Sequence, residues 1–165
     1  MKIVVADSSS LILLAKIEVL DVFSKNTELY IPTSVFDECV RKVDGKKYPS
    51  AQVINELVEA KQIMVSKVVK NIKLPLQLGK GEEDAIKLMI EIKADLLACD
   101  DGKAIKICRF LKLPFIVTPK IVSSLYTKKM ITLKKAKESL ENLQIFGRYS
   151  PDIIARAFLE LQGGE

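Results

Sequence analysis

Short apolar runs alternate along the chain with longer stretches in which apolar positions recur at helical spacing. Ile3 to Ala6 reads as a buried first strand. Asp7 and the serines after it can cap a helix through Leu11, Leu14 and Ile17, which Val19 to Phe23 continues or restarts. Glu28 to Ile31 predicts a second strand, closed by Pro32. Ser34-Val35-Phe36-Asp37 has the spacing of a capping box and predicts a helix through Val40, with another helical stretch from Ser50 to Ala60. Gln62 to Val68 alternates as a strand, and Gly79-Lys80-Gly81 punctuates the chain before a helix over Glu82 to Ile92. Leu96 to Cys99 is a strand, Lys103 to Leu111 a helix, and Pro114 to Val117 a last strand. Pro119 to Tyr126, Leu133 to Leu143 and Pro151 to Leu161 complete the pattern as helices, the last behind a Ser150-Pro151 start signal. This alternation is the mark of βαβ units around a parallel sheet, so the fold class is α/β. No repeat, low-complexity tract or linker interrupts it. The expectation is one domain over 1–165, with the helices of 132–162 as a C-terminal extension.

Composition narrows the chemistry. With 48% hydrophobic and 28% charged residues the chain is of ordinary globular type, and 165 residues suffice to bury roughly 70% of the unfolded surface. There is no histidine. That excludes Ser-His-Asp and Cys-His nucleophile systems, His-ligated zinc and an imidazole proton shuttle. Cys39, Cys99 and Cys108 show no C-x-x-C spacing and leave one over, which suits reduced, buried thiols. Met1 to Asp7 offers four apolar residues before a carboxylate, short of a signal-peptide core of about 7 to 15. No uncharged run approaches the roughly 18 residues of a membrane span, so the expectation is a cytoplasmic protein with no membrane partner.

The net charge of +5 comes from 26 Lys and Arg against 21 Asp and Glu, unevenly laid out. Between Gly102 and Lys137 stand Lys103, Lys106, Arg109, Lys112, Lys120, Lys128, Lys129, Lys134, Lys135 and Lys137, with no acid among them. Acids cluster instead at Glu82-Glu83-Asp84 and Asp100-Asp101. Basic surface beside acidic clusters suits a polyanion together with a divalent cation, although a solvated lysine-rich face explains the charge alone equally well. Only 10 aromatic residues are present, which argues against base stacking as the main mode of recognition.

Ligands of open α/β sheets bind beyond the carboxyl ends of the strands, and the informative acids fall there. Asp7 follows the first strand, Glu38 lies in the helix after the second, Glu82 to Asp84 open a helix, and Asp100-Asp101 follow the strand ending at Cys99. Singly, each is explained as a helix cap or a dipole partner. Four segments delivering carboxylates to one rim are not. Such a cluster repels itself unless a cation neutralises it, and hard oxygen donors without imidazole or thiolate select Mg²⁺ or Mn²⁺. On the helix that follows Gly81, the apolar face of Ala85, Ile86, Leu88, Met89, Ile90 and Ile92 has Glu82 near its centre, with Glu83 and Asp84 toward its margins. An inward glutamate there needs a partner, which favours Glu82 as a ligand. Asp37 and Glu38 flank their own apolar face equally, so periodicity does not choose between them.

Asp7-Ser8-Ser9-Ser10-Leu11-Ile12 after an apolar strand resembles the opening motif of PIN-domain nucleases. Ile31-Pro32-Thr33-Ser34-Val35-Phe36-Asp37-Glu38, Leu78-Gly79-Lys80-Gly81-Glu82-Glu83-Asp84-Ala85-Ile86, Ala94 to Asp101 and Leu113-Pro114 match in order. The Gly81-Glu82 start, the Asp100-Asp101 pair and the Ile145 to Ser150 tail look most like a prokaryotic PIN-like subgroup related to toxin–antitoxin ribonucleases. The resemblance covers nearly the whole chain. It implies a PIN-like three-layer α/β/α fold with a central parallel sheet, and Mg²⁺- or Mn²⁺-dependent cleavage of single-stranded RNA. By the same resemblance Asp7 is the first metal ligand, Glu38 the second acid, Glu82 and Asp84 the third, and Asp100 with Asp101 the fourth. Ser9 fits the hydroxyl position that orients the first Asp or a water. The metal set is then Asp7, Glu82, Asp84, Asp100 and Asp101, with Glu38 and Ser9 added among the catalytic residues. An antitoxin protein and a second copy of the chain are the implied protein partners. Many members of the subgroup carry Asn for the first Asp and Pro at the place of Ser10; Asp7 keeps the carboxylate here.

Two other functions compete. A PIN-like RNA- or protein-binding module without turnover would keep the fold and lose the metal. An aspartate-nucleophile phosphatase or phospho-acceptor also places Asp after the first strand, but it requires Asp-x-Asp or adjacent acids, and position 9 is serine.

Overall fold

The computed structural model describes residues 1–44, 47–147 and 149–163; Arg148 of the tail motif lies outside them. Five strands, β1 (Ile3–Ala6), β2 (Glu28–Pro32), β3 (Ile63–Ser66), β4 (Leu96–Ala98) and β5 (Phe115–Ile116), form an all-parallel sheet in the order β3-β2-β1-β4-β5. Among the described residues nine α-helices connect and cover it: α1 (Ser8–Lys16), α2 (Leu20–Lys25), α3 (Thr33–Phe36), α4 (Pro49–Glu59), α5 (Lys80–Ile92), α6 (Gly102–Leu111), α7 (Thr118–Thr127), α8 (Leu133–Phe146) and α9 (Pro151–Gly163). The all-parallel sheet is the one expected from the alternation of strands and helices, and the three-layer α/β/α arrangement is the one the family resemblance implies.

β1 explains the layering. Its residues alternate between two cores, as a central strand buried on both sides must. Val4 and Ala6 join Leu11, Leu14, Ile121, Val122 and Leu140 on one face, while Val5 joins Ile86, Met89, Ile107 and Cys108 on the other. The last two helices, α8 and α9, pack on α7 and on each other. Among the described residues no helix is long and apolar enough to cross a membrane. All three cysteines are buried and unpaired by disulfide. Burial pushes the Cys39 thiol up to about 12, and a hydrogen bond with Cys108, followed by burial, raises Cys99, so neither is a ready thiolate.

Chain order and sheet order part company at one point. The chain runs outward from β1 through β2 to β3, then returns across β1 to β4 and β5. β1 and β4 therefore flank the switch point, in register as Val5 with Leu97 and Ala6 with Ala98. Whatever follows these two strands meets at one place on the carboxyl edge.

Two local features depart from the sequence pattern. The capping box at Ser34 does not form: Pro32, with ψ of 157°, turns the chain straight into α3 at Thr33, so Ser34 falls inside the helix and its hydroxyl is buried without a partner. Asp37 pairs instead with Arg41 at 3.1 Å. The helix then widens into a π-helical turn, Asp37–Arg41, which carries Glu38; such turns are frequent at functional sites. The second feature is a set of left-handed residues. Glu18, Lys61, Lys93, Lys112 and Lys129 have φ between 54° and 61°, each closing a helix where glycine is usual. Lys93→Gly and Lys112→Gly are each expected to raise stability by about 0.5–1 kcal/mol, relief of the left-handed strain exceeding the added unfolded-state entropy; urea denaturation reads the gain.

Candidate active site

Asp7 leaves β1 at the switch point with its amide bonded to the Ala98 carbonyl of β4 at 3.1 Å. It is the N-cap of α1: Oδ1 accepts the Ser10 amide at 2.9 Å. The side chain is wholly buried, and Oδ2 has no hydrogen-bond partner. Burial pushes its carboxyl up to about 7, against the pull of the Ser10 amide and hydroxyl; repulsion from Asp100 and Glu82 adds to the rise. An unpartnered carboxylate oxygen at this depth is costly. Asp100 and Glu82 therefore face Asp7 closely enough to be felt.

Glu38 reaches the same place from the π-helical turn. Its Oε2 accepts the Ser8 hydroxyl at 2.5 Å and its Oε1 the Gly81 amide at 3.1 Å, which joins α1, the π-helical turn and the first turn of α5. Position 81 has no room for a side chain: a Cβ would stand 2.6 Å from Glu38 Oε2 and 2.9 Å from Ser8 Oγ. Gly81→Ala is thus expected to push Glu38 off its amide, costing about 1–2 kcal/mol in thermal denaturation and roughly tenfold in any cleavage rate that depends on Glu38.

The acids of α5 separate. Glu82 is half-buried and its carboxylate lies against Gly79. Glu83 pairs with Lys87 at 2.7 Å. Asp84, although placed at the margin of the apolar face by periodicity, is the more buried and accepts from Lys80 Nζ at 3.1 Å. First-turn side chains lean back toward the helix N-terminus, which carries Glu82 out toward Gly79 and the cleft and leaves Asp84 inside.

Asp100 and Asp101 separate as well. Asp100 accepts four hydrogen bonds: Oδ1 from the Thr118 amide at 2.9 Å and the Tyr149 hydroxyl at 2.8 Å, Oδ2 from the Ser10 hydroxyl at 2.8 Å and the Thr118 hydroxyl at 2.6 Å. Asp101 is the N-cap of α6, its Oδ2 accepting the Ala104 amide at 2.9 Å. Ser9 is exposed on the wall of the cleft that Asp100 and Asp101 line. The hydroxyls beside Asp7 that bond site carboxylates belong to its neighbours, Ser8 on Glu38 and the fully buried Ser10 on Asp100. Ser8, Ser10, Thr118 and Tyr149 thus join the acids. The serines were visible as the hydroxyl run after Asp7, and Tyr149 within the Ile145 to Ser150 tail; its pairing with Asp100, 49 residues away, carried no local signal.

Two clefts open from this cluster. One, of about 710 Å³, is lined by Gly79, Glu82, Asp101, Lys103 and Lys106; the other, of about 550 Å³, by Ser9, Asp100, Asp101, Phe146 and Tyr149. Of the basic stretch, then, Lys103 and Lys106 lie beside the acids. Lys120 and Lys128 line a cavity at the amino ends of the strands, and Lys135 pairs with Glu18.

A parallel sheet in this order, with carboxylates past β1 and β4, defines an α/β/α protein with a polar site at the carboxyl edge of its sheet. The model of the family described as PIN domain matches residues 3–163, and the chain belongs to that family. No curated protein and no solved structure matches it significantly.

PIN domains typically work with divalent metals, and the donors here can be tested against one. Among the described residues, no group of three or more acidic or thiol side chains stands ready to hold a metal ion. Asp7 Oδ2, however, has no donor to give up, and the neighbours that repel it are carboxylates. Oxygen donors of this kind fit Mg²⁺ or Mn²⁺. Asp100 would have to release one of its donors to take part.

Proposed function

We propose that this protein is a Mg²⁺- or Mn²⁺-dependent endoribonuclease that hydrolyses single-stranded RNA, leaving 5′-phosphate and 3′-hydroxyl ends. The observation that carries the reading is the buried, unpartnered oxygen of Asp7 at the switch point, within electrostatic reach of Asp100 and Glu82. Asp7 and Glu82 would hold the cation, with Glu38 and Asp100 completing the set. Bound there, the metal supplies Lewis acidity toward water and the scissile phosphate. The chain's own part is to orient: Ser8 and the Gly81 amide hold Glu38, and Ser10, Thr118 and Tyr149 hold Asp100. Lys103 and Lys106, on the wall shared with Glu82 and Asp101, supply positive charge for the RNA backbone.

Asp100, with all four acceptor positions filled, and Asp84, paired with Lys80, favour a second reading, a PIN module that binds RNA or protein without turnover. Incubating the protein with single-stranded RNA and Mn²⁺ separates the two. Cleavage abolished by chelator supports the nuclease; tight binding without any cleavage leaves the module. A toxin role with an antitoxin partner rests on the family resemblance. A short overlapping gene for a DNA-binding protein would support it, and an isolated gene would favour a housekeeping nuclease. Self-association, implied in the same way, is read by analytical ultracentrifugation.

A further inference from the structure

The segment that brings Tyr149 to Asp100 also builds a wall unlike the rest of the site. Phe146, the last residue of α8, is 48% exposed and lines the same cleft as Asp100 and Asp101, across from Ser9, Ile12 and Leu13 of α1. An aromatic ring exposed to this extent beside charged groups has apolar surface to bury. The wall is held in place at both ends. The Tyr149 hydroxyl is bonded to Asp100, and its ring rests on Gly147 where any Cβ would collide with it. Lys16 Nζ lies 5.6 Å from the Phe146 ring centroid and adds positive charge at the cleft. A volume of about 550 Å³ accommodates a base with its ribose.

We propose that this cleft is a nucleobase subsite, in which Phe146 stacks a base of single-stranded RNA while the adjoining phosphate faces Asp100, Asp101 and whatever cation they help to hold. The proposal rests on the nuclease reading for its choice of ligand. A base, rather than an apolar peptide, fits because the cleft is continuous with the carboxylate cluster and Lys16 stands close to the ring that lines it. Phe146 is then a binding residue. The stacking is indifferent to base identity, since every base has a π-face.

The test uses the full chain in the presence of chelator, so that neither cleavage nor metal binding enters. Affinity is measured for an oligouridylate of about eight nucleotides, a length within usual single-strand site sizes, and for an oligomer of equal length carrying the same phosphates but no bases. Phe146→Ala should weaken binding of the base-bearing oligomer by about 5- to 100-fold and leave the abasic one unchanged, with Phe146→Tyr restoring the wild-type value. Equal affinities of wild type and Phe146→Ala for the base-bearing oligomer would overturn the proposal. So would equal losses for both oligomers, or no binding of RNA by the wild type. Because the readout is binding in chelator, its outcome is independent of whether Mn²⁺-dependent cleavage is found.

Discussion

Replacing Asp7 with asparagine is expected to lower Mn²⁺-dependent RNA cleavage by about 10³-fold while making the metal-free protein more stable at neutral pH. The two effects have one cause. Asp7 is buried, with one oxygen unpartnered, and its carboxyl is pushed up to about 7 from an ordinary 3.8, first by burial and then by Asp100 and Glu82. Between those values the folded chain keeps a proton that the unfolded chain has lost, so stability falls as pH rises from about 4 to about 7. The drop for this group is about 4 kcal/mol. Asparagine keeps the carbonyl oxygen that caps α1 and has no charge to bury. Urea denaturation curves of wild type and Asp7→Asn should therefore coincide near pH 4 and diverge toward pH 8, with the variant more stable. Adding Mn²⁺ should close the gap by stabilising only the wild type. A variant less stable than wild type at pH 8 would show that Oδ2 has a partner after all.

Asp100 and Asp101, adjacent in sequence, are expected to respond very differently. Asp100→Asn should cost about 1.5–3 kcal/mol, because the charge-assisted bonds are lost and an amide NH₂ in place of Oδ2 forces the Ser10 and Thr118 hydroxyls to turn round and accept, their own protons left without this acceptor. Asp101→Asn should change stability by only a few tenths of a kcal/mol, since asparagine caps the start of α6 about as well. Tyr149→Phe, removing one of four donors, falls between at about 1 kcal/mol. Thermal or urea denaturation of the three variants gives the order. Similar losses at 100 and 101 would mean that Asp100 is not the hub joining β4, α1, α7 and the tail.

The strands and long helices were legible because burial writes them into the sequence: β1 and β4 are apolar without interruption, and α5 and α6 repeat at helical spacing. That Asp7 and Asp100 lie at the carboxyl edge was legible because Asp7 follows β1 directly and Asp100 stands one residue beyond β4. Choosing within each acidic group was not. Periodicity put Glu82 at the centre of the α5 face, yet Asp84 is the more buried, since the tilt of first-turn side chains outweighs their angular position. The capping box at Ser34 had the right spacing but stood behind a proline that began the helix one residue early. Helix ends were legible too, α5 and α6 stopping at Ile92 and Leu111 where the periodic pattern stops, although lysines rather than glycines take the left-handed positions that follow. Tyr149 meets Asp100 across 49 residues, and the tail resemblance marks its segment without recording that tertiary pairing.

Titrating Mn²⁺ into wild type and Asp7→Asn at pH 7 by calorimetry, in two buffers of different ionisation enthalpy, decides whether the switch-point carboxylates, with Asp7 at their centre, hold a divalent cation. Wild type should bind with release of a fraction of a proton, because a carboxyl pushed up to about 7 is partly protonated there, and the variant should show no comparable binding. Equal Mn²⁺ affinity in the two proteins, or none in the wild type, would contradict a cation site centred on Asp7.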